Sequence, residues 1–277
     1  MNARPPARPP LRLAHLVHPV VVAPGSDLVA AQPVTFATMD LARKFAAGAV
    51  EVELWAVQYR DEERIPLPPA FARAPDLQRS VRDVASFQER RKLALMRDLL
   101  DALHAASASD ILIYTNVDIA LQPHFYLTAA ALISRGHDAF IINRRTIPGR
   151  YQRVEEIPLM WAEVGEAHRG WDCFLFDRSL YPRFRLGDAC IGSDWIGRMM
   201  ITNMAALAQR FAVFKNLHAT FHIGNDKAWS AGEFRDYAEH NKNECGKTLE
   251  EFDRLYGPFD RKGLPGKFFN RFPGHEA

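Results

Sequence analysis

The sequence predicts a single α/β domain with a mainly parallel, mixed sheet flanked by helices. The 277 residues amount to between one and two domains of the usual ~150 residues, and no internal stretch has the composition of a linker. Hydrophobic residues make up 48% and charged residues 25%, as in globular proteins. Short apolar or β-branched runs alternate with longer helical patterns, and this alternation indicates crossover units around a parallel sheet.

The elements follow in chain order between two irregular ends. Prolines and arginines crowd residues 1–10 and predict an extended, disordered tail. The domain is expected to span 11–255, and 256–277 is expected to form an irregular C-terminal tail. The proline-rich stretch 65–75 predicts a surface loop. Strands are predicted at 11–22, 50–58, 111–115, 138–142, 173–177, 211–214 and 217–223, and helices at 34–47, 81–107, 123–135, 194–209 and 230–244.

Charge and cysteine content narrow the class of protein. Lys+Arg 35 against Asp+Glu 33 gives a net charge of +2, too small to predict a nucleic-acid surface. Cys173, Cys190 and Cys245 cannot all pair and form no C-x-x-C site, which fits a reducing cytosol. The apolar run 16–24 is shorter than the ~20 residues of a membrane span. We therefore expect a cytoplasmic protein without a transmembrane segment, acting on a small molecule.

Asn116 and Asp118 directly follow the predicted strand 111–115. The carboxyl ends of strands are where open α/β sheets bind ligands. In an extended segment residues i and i+2 point to the same side, so both side chains are expected to face one Mg²⁺ or Mn²⁺ ion that holds substrate phosphates. The alternative is a simple turn, because Asn and Asp hydrogen-bond their own backbone after strands.

A second motif begins at His222, after the predicted strand 217–223. A neutral imidazole is a ligand for Mn²⁺, Gly224 allows the backbone to approach a phosphate, and Lys227 supplies an ammonium for a diphosphate. Trp229 completes the pattern. A lone histidine beside a strand is more often a satisfied core or surface residue, and that interpretation suits His15, but the neighbours of His222 favour a pyrophosphate site.

These two motifs resemble a known family. The pattern His-x-Gly-x-x-Lys-x-Trp at 222–229 is similar to the His-x-Gly-x-x-Lys-Pro-Trp signature of glycogenin-like and bacterial galactosyltransferase-like enzymes, with Ala228 in place of the proline. The segment 116–118 stands where that family has Asp-x-Asp, with Asn116 replacing an acid. The resemblance implies a type A glycosyltransferase fold in which Asp118, His222 and Asn116 hold a UDP-sugar through Mn²⁺ or Mg²⁺.

Two segments between the motifs, each with one acid, resemble the family more loosely. In that family the corresponding segments bind the donor sugar and carry an acid near the reacting carbon. Asp172 precedes the strand 173–177 and Asp194 opens the helix 194–209. Each has a plain alternative, a strand-edge turn for Asp172 and a helix cap or first-turn acid for Asp194. If the reaction inverts the anomeric centre, one of them is the expected catalytic base.

Basic residues supply two further candidates for binding the donor. The cluster 90–92 lies in the predicted helix 81–107, and in the resembling family a basic residue of this helix reaches the donor, which selects Arg91. Arg144 follows the strand 138–142, at the edge where ligands collect. A solvated helix face and a solvated loop are the respective alternatives.

The resulting hypothesis is a metal-dependent glycosyltransferase that moves a sugar from a nucleotide-diphosphate donor, with UDP favoured, to an unknown acceptor. A cation would stabilise the departing diphosphate, assisted by Lys227. Two other functions fit the same residues. One is a non-catalytic nucleotide-sugar or glycan-binding protein on the same fold, and the other is a metal-dependent phosphohydrolase.

Overall fold

The structure is a computed structural model that describes residues 10–225 and 232–257. Within these ranges the strands are β1 Leu11–Val17, β2 Val50–Ala56, β3 Phe71–Arg73, β4 Ile111–Thr115, β5 Ala120–Leu121, β6 Ala139–Ile142, β7 Arg145–Ile147, β8 Glu166–Ala167, β9 Cys173–Asp177, β10 Phe211–Phe214 and β11 Thr220–Ile223. The helices are α1 Leu28–Phe45, α2 Met96–Ala106, α3 Phe125–Ser134, α4 Ile157–Ala162, α5 Ile196–Leu207 and α6 Arg235–Tyr256.

The main sheet has seven strands in the order β10-β6-β9-β4-β1-β2-β3. β9 runs antiparallel to both of its neighbours, β6 and β4, whereas the other neighbouring strands pair in parallel. The sheet is therefore mixed and mainly parallel, as the sequence predicts. Because β9 is reversed, its amino end lies at the edge where the parallel strands have their carboxyl ends.

The two faces of this sheet are covered by different helices. In β4, Leu112 and Tyr114 pack into the core shared with α2, α5 and α6, whereas Ile111 and Ile113 pack into the core shared with α1 and α3. This alternation follows from the two-residue period of a strand. The runs of apolar residues in the predicted strands therefore reflect burial on both faces.

A smaller sheet of four strands, in the order β5-β11-β7-β8, lies beside α1 and α4. β5 follows β4 after a short turn, and β11 pairs antiparallel with β5 and parallel with β7. Short strands suffice here because Ala120 and Phe221 pack with α1 and α4 in one apolar cluster. This sheet connects the end of β4 to the C-terminal motif.

The predicted helix 81–107 is wrong over its first half. The chain forms a 3₁₀ turn at Val81–Asp83, and the α-helix begins only at Met96. Contacts with distant parts of the chain engage the intervening residues: Phe87 stacks on Tyr237 of α6, and Leu95 forms a β-bridge with Cys190. Tertiary packing outweighs the helical pattern of this segment, so Arg91 lies in a loop.

Other predicted elements agree with the structure or shift at their ends. The strands at 111–115, 173–177 and 211–214 have the predicted bounds. The proline-rich loop 65–75 contains the short strand β3, and α6 continues to Tyr256. The three cysteines are unpaired and buried. Residues 1–9 and 258–277, including most of both predicted tails, lie outside the described residues.

Candidate functional site

Strand pairing in the small sheet brings Asp118 and His222 together. Asp118 lies two residues before β5, and His222 lies within β11. Phe221 pairs with Ala120 across the antiparallel ladder, so the residues on either side of this pair also approach each other. The imidazole Nε2 of His222 lies 3.2 Å from Oδ2 of Asp118. Two residues 104 positions apart thus meet beside the carboxyl end of β4.

The other ring nitrogen of His222 is held by its own loop. Nδ1 lies 2.9 Å from the carbonyl oxygen of Gly224, and the Gly224 amide donates to the Ile147 carbonyl of β7 at 2.9 Å. Gly224 has a φ of +75°, in the left-handed region where glycine is favoured. This turn fixes the ring so that Nε2 faces Asp118, as backbone carbonyls commonly do for metal-binding histidines.

A second charged pair, Arg144 with Asp172, lies next to the first. Arg144 directly precedes β7, and Asp172 directly precedes β9. Thr115 pairs with Cys173 between β4 and β9, so Asp172 lies at the same sheet edge as the residues that follow β4. Nη1 of Arg144 donates to Oδ1 of Asp172 at 2.9 Å, and the side chains are only 7% and 10% exposed.

The charged groups of the two pairs shift one another's pKa values. Burial by itself raises the pKa of Asp118, but the hydrogen bond and charge of His222 and the charge of Arg144 bring it below its ordinary value. Burial raises the pKa of Asp172, with Arg144 opposing and Asp118 reinforcing that rise. For His222, burial lowers the pKa, and the hydrogen bond and charge of Asp118 outweigh burial and raise it.

Three polar atoms of this cluster are buried without a hydrogen-bond partner: Asp118 Oδ1, Asp172 Oδ2 and Arg144 Nε. Buried polar atoms in native proteins are almost always paired with protein, water or an ion. Three neighbouring residues here each have a polar atom free to contact a water molecule, an ion or a ligand.

A divalent cation fits the first pair. Adjacent ligands of an octahedral Mg²⁺ at about 2.1 Å lie about 3 Å apart, close to the 3.2 Å between Asp118 and His222. No group of three His, Cys, Asp or Glu side chains within 10–225 and 232–257 is arranged to hold a metal. Mg²⁺ often takes only one or two protein ligands and completes its shell with water and substrate phosphates, so a pair of ligands is within the number that this ion uses.

Asn116 and Asp118 lie in a turn and not in the extended segment that the sequence indicates, and the role of Asn116 as a metal ligand stays a prediction. Residues 116–119 form a turn in which the Ile119 amide donates to the Asn116 carbonyl, so the rule for extended segments does not apply. The Asn116 amide oxygen accepts a hydrogen bond from the Tyr114 hydroxyl at 3.2 Å. The turn that we considered as the alternative is present, and Asp118 is nevertheless brought to His222.

Asp194 and Arg91 are engaged by other residues. Asp194 pairs with Arg198 at 3.1 Å and does not cap α5, whose N-cap residue is Trp195 in the left-handed region. Arg91 pairs with Glu233 at 2.5 Å and lies over the ring of Phe234. Their predicted roles stay predictions. Lys227 and Trp229 lie outside the described residues.

Two histidines in and directly after β1 are buried and neutral. His15 lies between the Tyr126 hydroxyl and Thr115 Oγ1, each at 2.9 Å, and burial lowers its pKa to about 3. His18 directly follows β1 and contacts the Val57 carbonyl at 2.8 Å. Burial is also the main reason that its pKa falls to about 4. His15 is thus the satisfied core residue that the sequence indicates.

Sequence reasoning missed a cavity of about 640 Å³ at the ends of β2 and β3. It is lined by Tyr59, Arg60, Asp61, Leu77, Gln78, Arg79, Ser80, Arg82, Asp83, Arg90 and Lys92. These residues come from three separated segments, and each arginine viewed alone is typical of a solvated surface. The available signal is the position of residues 59–61 directly after the predicted strand 50–58, where ligands bind.

Comparisons with known proteins identify the fold. No family model matches the sequence, and no curated protein matches it. Among solved structures, the chain is similar to residues 1–349 of TarS from S. aureus in complex with UDP-GlcNAc, with 10% identity, a TM-score of 0.50, and coverage of 88% of this chain and 73% of that chain. Another match is glucosyl-3-phosphoglycerate synthase from Mycobacterium tuberculosis in complex with Mn²⁺, UDP-glucose and phosphoglyceric acid, with 15% identity, a TM-score of 0.45 and coverage of 85% and 80%.

The likeness confirms the fold class, a mixed α/β domain of the type A glycosyltransferase fold. The narrower resemblance to the glycogenin-like family stays an expectation. In the described part of the chain, none of the helices combines the length and apolar character needed to cross a bilayer.

Proposed function

We propose that the protein is a glycosyltransferase that moves a sugar from a nucleotide-diphosphate sugar, with UDP favoured, to an acceptor. The observation that supports this most directly is the meeting of Asp118 and His222 beside the buried Arg144–Asp172 pair, at the ligand-binding edge of the sheet. Fold alone does not establish activity, so the proposal depends on these side chains.

Asp118 and His222 would hold Mn²⁺ or Mg²⁺. When bound, such an ion neutralises negative charge on the diphosphate leaving group. The Gly224 turn keeps His222 Nε2 directed at Asp118, and a bound ion would take the place of the proton that Nε2 shares with Asp118. Lys227, only five positions beyond His222, is proposed as a further cation for the diphosphate, and Gly224 as the point where backbone approaches it.

Asp172 is proposed as the acid that contacts the donor sugar. Arg144 occupies its Oδ1, and its buried Oδ2 has no partner, so one oxygen is available to accept a hydrogen bond from a sugar hydroxyl. Arg144 acts here mainly by holding Asp172, rather than as a free cation for the donor. If the reaction inverts the anomeric centre, Asp194 or Asp172 is proposed as the base for the acceptor hydroxyl.

One observation favours a second candidate, a nucleotide-sugar-binding protein without transferase activity. Residue 116 is an asparagine whose amide oxygen accepts a hydrogen bond from Tyr114. The motif therefore offers a cation one carboxylate, at Asp118, and less negative charge than a two-acid motif. Such a protein would bind the donor and release no nucleoside diphosphate.

Donor turnover distinguishes the two functions. The protein is incubated with a panel of nucleotide sugars and Mn²⁺, and released nucleoside diphosphate is measured, with water as a poor acceptor. We expect release from at least one UDP-sugar, and Asp118→Asn or His222→Ala to reduce it by at least about a hundredfold, because metal assistance contributes several kcal/mol. Asp40→Asn, the same substitution on α1, should leave turnover unchanged. Binding without release would establish the second function.

A further inference from the structure

The loop 187–195, which carries Asp194, has an unusual backbone conformation just before α5. Gly192 and Trp195 have φ values of +75° and +74°, in the left-handed region that a residue with a Cβ seldom adopts. Such conformations persist only where surrounding contacts hold them, and they are frequent at active sites. We call residues 187–195 the Asp194 loop.

One side of the Asp194 loop is bonded to α6 through Asn241, which is fully buried. Oδ1 of Asn241 accepts from the Cys190 amide at 2.8 Å. Nδ2 donates to the carbonyl oxygens of Cys190 and Asp194, both at 2.9 Å. Because a carboxamide offers both an acceptor and two donor hydrogens, this single side chain joins both ends of the segment 190–194.

The opposite side of the Asp194 loop is bonded to the segment that precedes α2. The Ile191 amide donates to the Ala94 carbonyl, and the Met96 amide donates to the Ala189 carbonyl, each at 2.9 Å. These bonds hold residues 189–191. Asn241 extends the support to the carbonyl of Asp194 itself.

The Asp194 loop leads into a helix that packs beside the Arg144–Asp172 pair. Gly197, in the first turn of α5, lies so close to Trp171 that a Cβ at this position would be 3.2 Å from the Trp171 ring. Trp171 directly precedes Asp172 in the sequence. The start of α5 therefore lies next to the segment that carries Asp172, and Asp194 is three positions before Gly197.

The two acids are suited to different tasks. Asp172 is buried, with Arg144 on Oδ1, whereas the side chain of Asp194 is 44% exposed. Within the described ranges, Oδ1 of Asp194 accepts both hydrogen bonds to this carboxylate, from the Trp195 amide at 2.9 Å and from Arg198 Nη1 at 3.1 Å. Oδ2 is then available to take a proton from an acceptor hydroxyl and pass it to solvent.

We propose that Asn241 is a positioning residue for Asp194, which acts as the base of the transfer. This inference rests on the proposed function, with inversion at the anomeric centre. Oδ2 of Asp194 takes the proton of the acceptor hydroxyl while the hydroxyl oxygen bonds to the anomeric carbon. The bond from that carbon to the diphosphate breaks, and its electron pair leaves on UDP. Asn241 touches none of these atoms and acts by fixing the backbone from which the Asp194 side chain extends.

Donor hydrolysis by the full-length protein tests the proposal, with water as the acceptor. The UDP-sugar that is turned over fastest is used with saturating Mn²⁺, and kcat and KM are measured from released UDP. We expect Asp194→Asn to lower kcat by at least about a hundredfold and Asn241→Ala by at least about tenfold, with KM and UDP affinity changed less than about twofold. Added to Asp194→Asn, Asn241→Ala should cause less than about a twofold further loss, because a residue that acts through the base has no effect once the base is absent.

Thr248→Val is the matched control. Thr248 is also a buried polar residue of α6 that donates to a backbone carbonyl, that of Arg185 at 2.9 Å. This variant should change kcat less than about twofold, whatever it does to the melting temperature. Asn241→Asp is the second variant if Asn241→Ala does not fold. It keeps an acceptor for the Cys190 amide, loses the donation to Asp194 and should lower kcat in the same way.

Several outcomes would overturn the inference while leaving the proposed function intact. They are an unchanged kcat in Asn241→Ala or in Asp194→Asn, a loss confined to KM or UDP affinity, losses that multiply in the double variant, and failure of both Asn241 variants to fold. If the unaltered protein releases no UDP from any donor, the proposed function itself fails, and the inference fails with it.

Discussion

Two charged regions lie along one edge of the main sheet, and they differ in how their charges are compensated. At the Asp118 cluster the charged groups are paired inside the protein, His222 with Asp118 and Arg144 with Asp172. The other region is the cavity of about 640 Å³ at the ends of β2 and β3, where the guanidiniums of Arg60, Arg82 and Arg90 are exposed and form no hydrogen bond or ion pair with the described residues. The first region holds its charged side chains in specific pairs, whereas in the second only longer-range attraction, such as that between Arg82 and the acids Asp61 and Asp83, acts on these guanidiniums. The variants below are chosen to test this difference.

The largest expected effect is a loss of stability at acidic pH, caused by two buried histidines in and directly after β1. His15 and His18 have pKa values of about 3 and about 4 in the folded protein, below the usual 6.5 of the unfolded chain. The unfolded chain therefore binds more protons below pH 6.5, and the folded protein loses stability as pH falls. Each histidine costs about 1.4 kcal/mol per pH unit, so we expect a loss of about 5 kcal/mol between pH 6.5 and 4.5.

Urea unfolding across that pH range measures the effect. His15→Gln and His18→Gln should each remove about half of the pH dependence, whatever they do to stability at neutral pH. A free energy of unfolding that stays constant from pH 6.5 to 4.5 would show that these histidines are protonated in the folded protein and that this part of the edge is less buried than the structure indicates.

Breaking the buried pair should be the next largest effect. Arg144→Met leaves Asp172 buried without its cation, and removing one member of a buried pair costs about 3–5 kcal/mol. Arg64→Met breaks the pair with Asp76, whose side chains are 39% and 27% exposed, and such pairs are worth about 0–1 kcal/mol. Urea unfolding should separate the two variants clearly, and Arg144→Met/Asp172→Leu should recover much of the loss. Equal costs for the two single variants would contradict the distinction between the regions.

The fold was more predictable than the site because its signals are local. Residues 111–115 and 173–177 are mainly apolar and mostly buried, and both strands have the predicted bounds. The helix predicted at 81–107 failed where Phe87 and Leu95 contact α6 and Cys190. These contacts join residues far apart in sequence, and the helical pattern contains no information about them.

The candidate site was predictable in its residue types but only partly in its geometry. Asp118 and His222 were selected from two motifs, and the pairing of β5 with β11 places them together. The ion pair between Arg144 and Asp172 was not foreseen, because it depends on the reversal of β9. The cavity lined by Arg60, Arg82 and Arg90 was missed for the same kind of reason, since its lining comes from three segments that meet only in the fold.

The smallest expected effect is on the free energy of unfolding when the exposed Arg82 or Arg90 is replaced. Because the guanidiniums of Arg82 and Arg90 make no hydrogen bond or ion pair with the described residues, Arg82→Gln and Arg90→Gln should each change the free energy of unfolding by no more than about 0.5 kcal/mol. Urea unfolding at pH 7 checks this. A loss of 2 kcal/mol or more would mean that these arginines support the fold and would remove the contrast with Arg144.

The central claim is that Asp118 and His222 bind the donor diphosphate through a divalent cation. Calorimetric titration of UDP, with and without Mn²⁺, tests it most directly. We expect Mn²⁺ to strengthen UDP binding by at least about tenfold, because the ion bridges protein ligands and substrate phosphates. Asp118→Asn should abolish that gain in a variant that still unfolds cooperatively on heating. Equal affinity for UDP in the presence and absence of Mn²⁺ would contradict the claim.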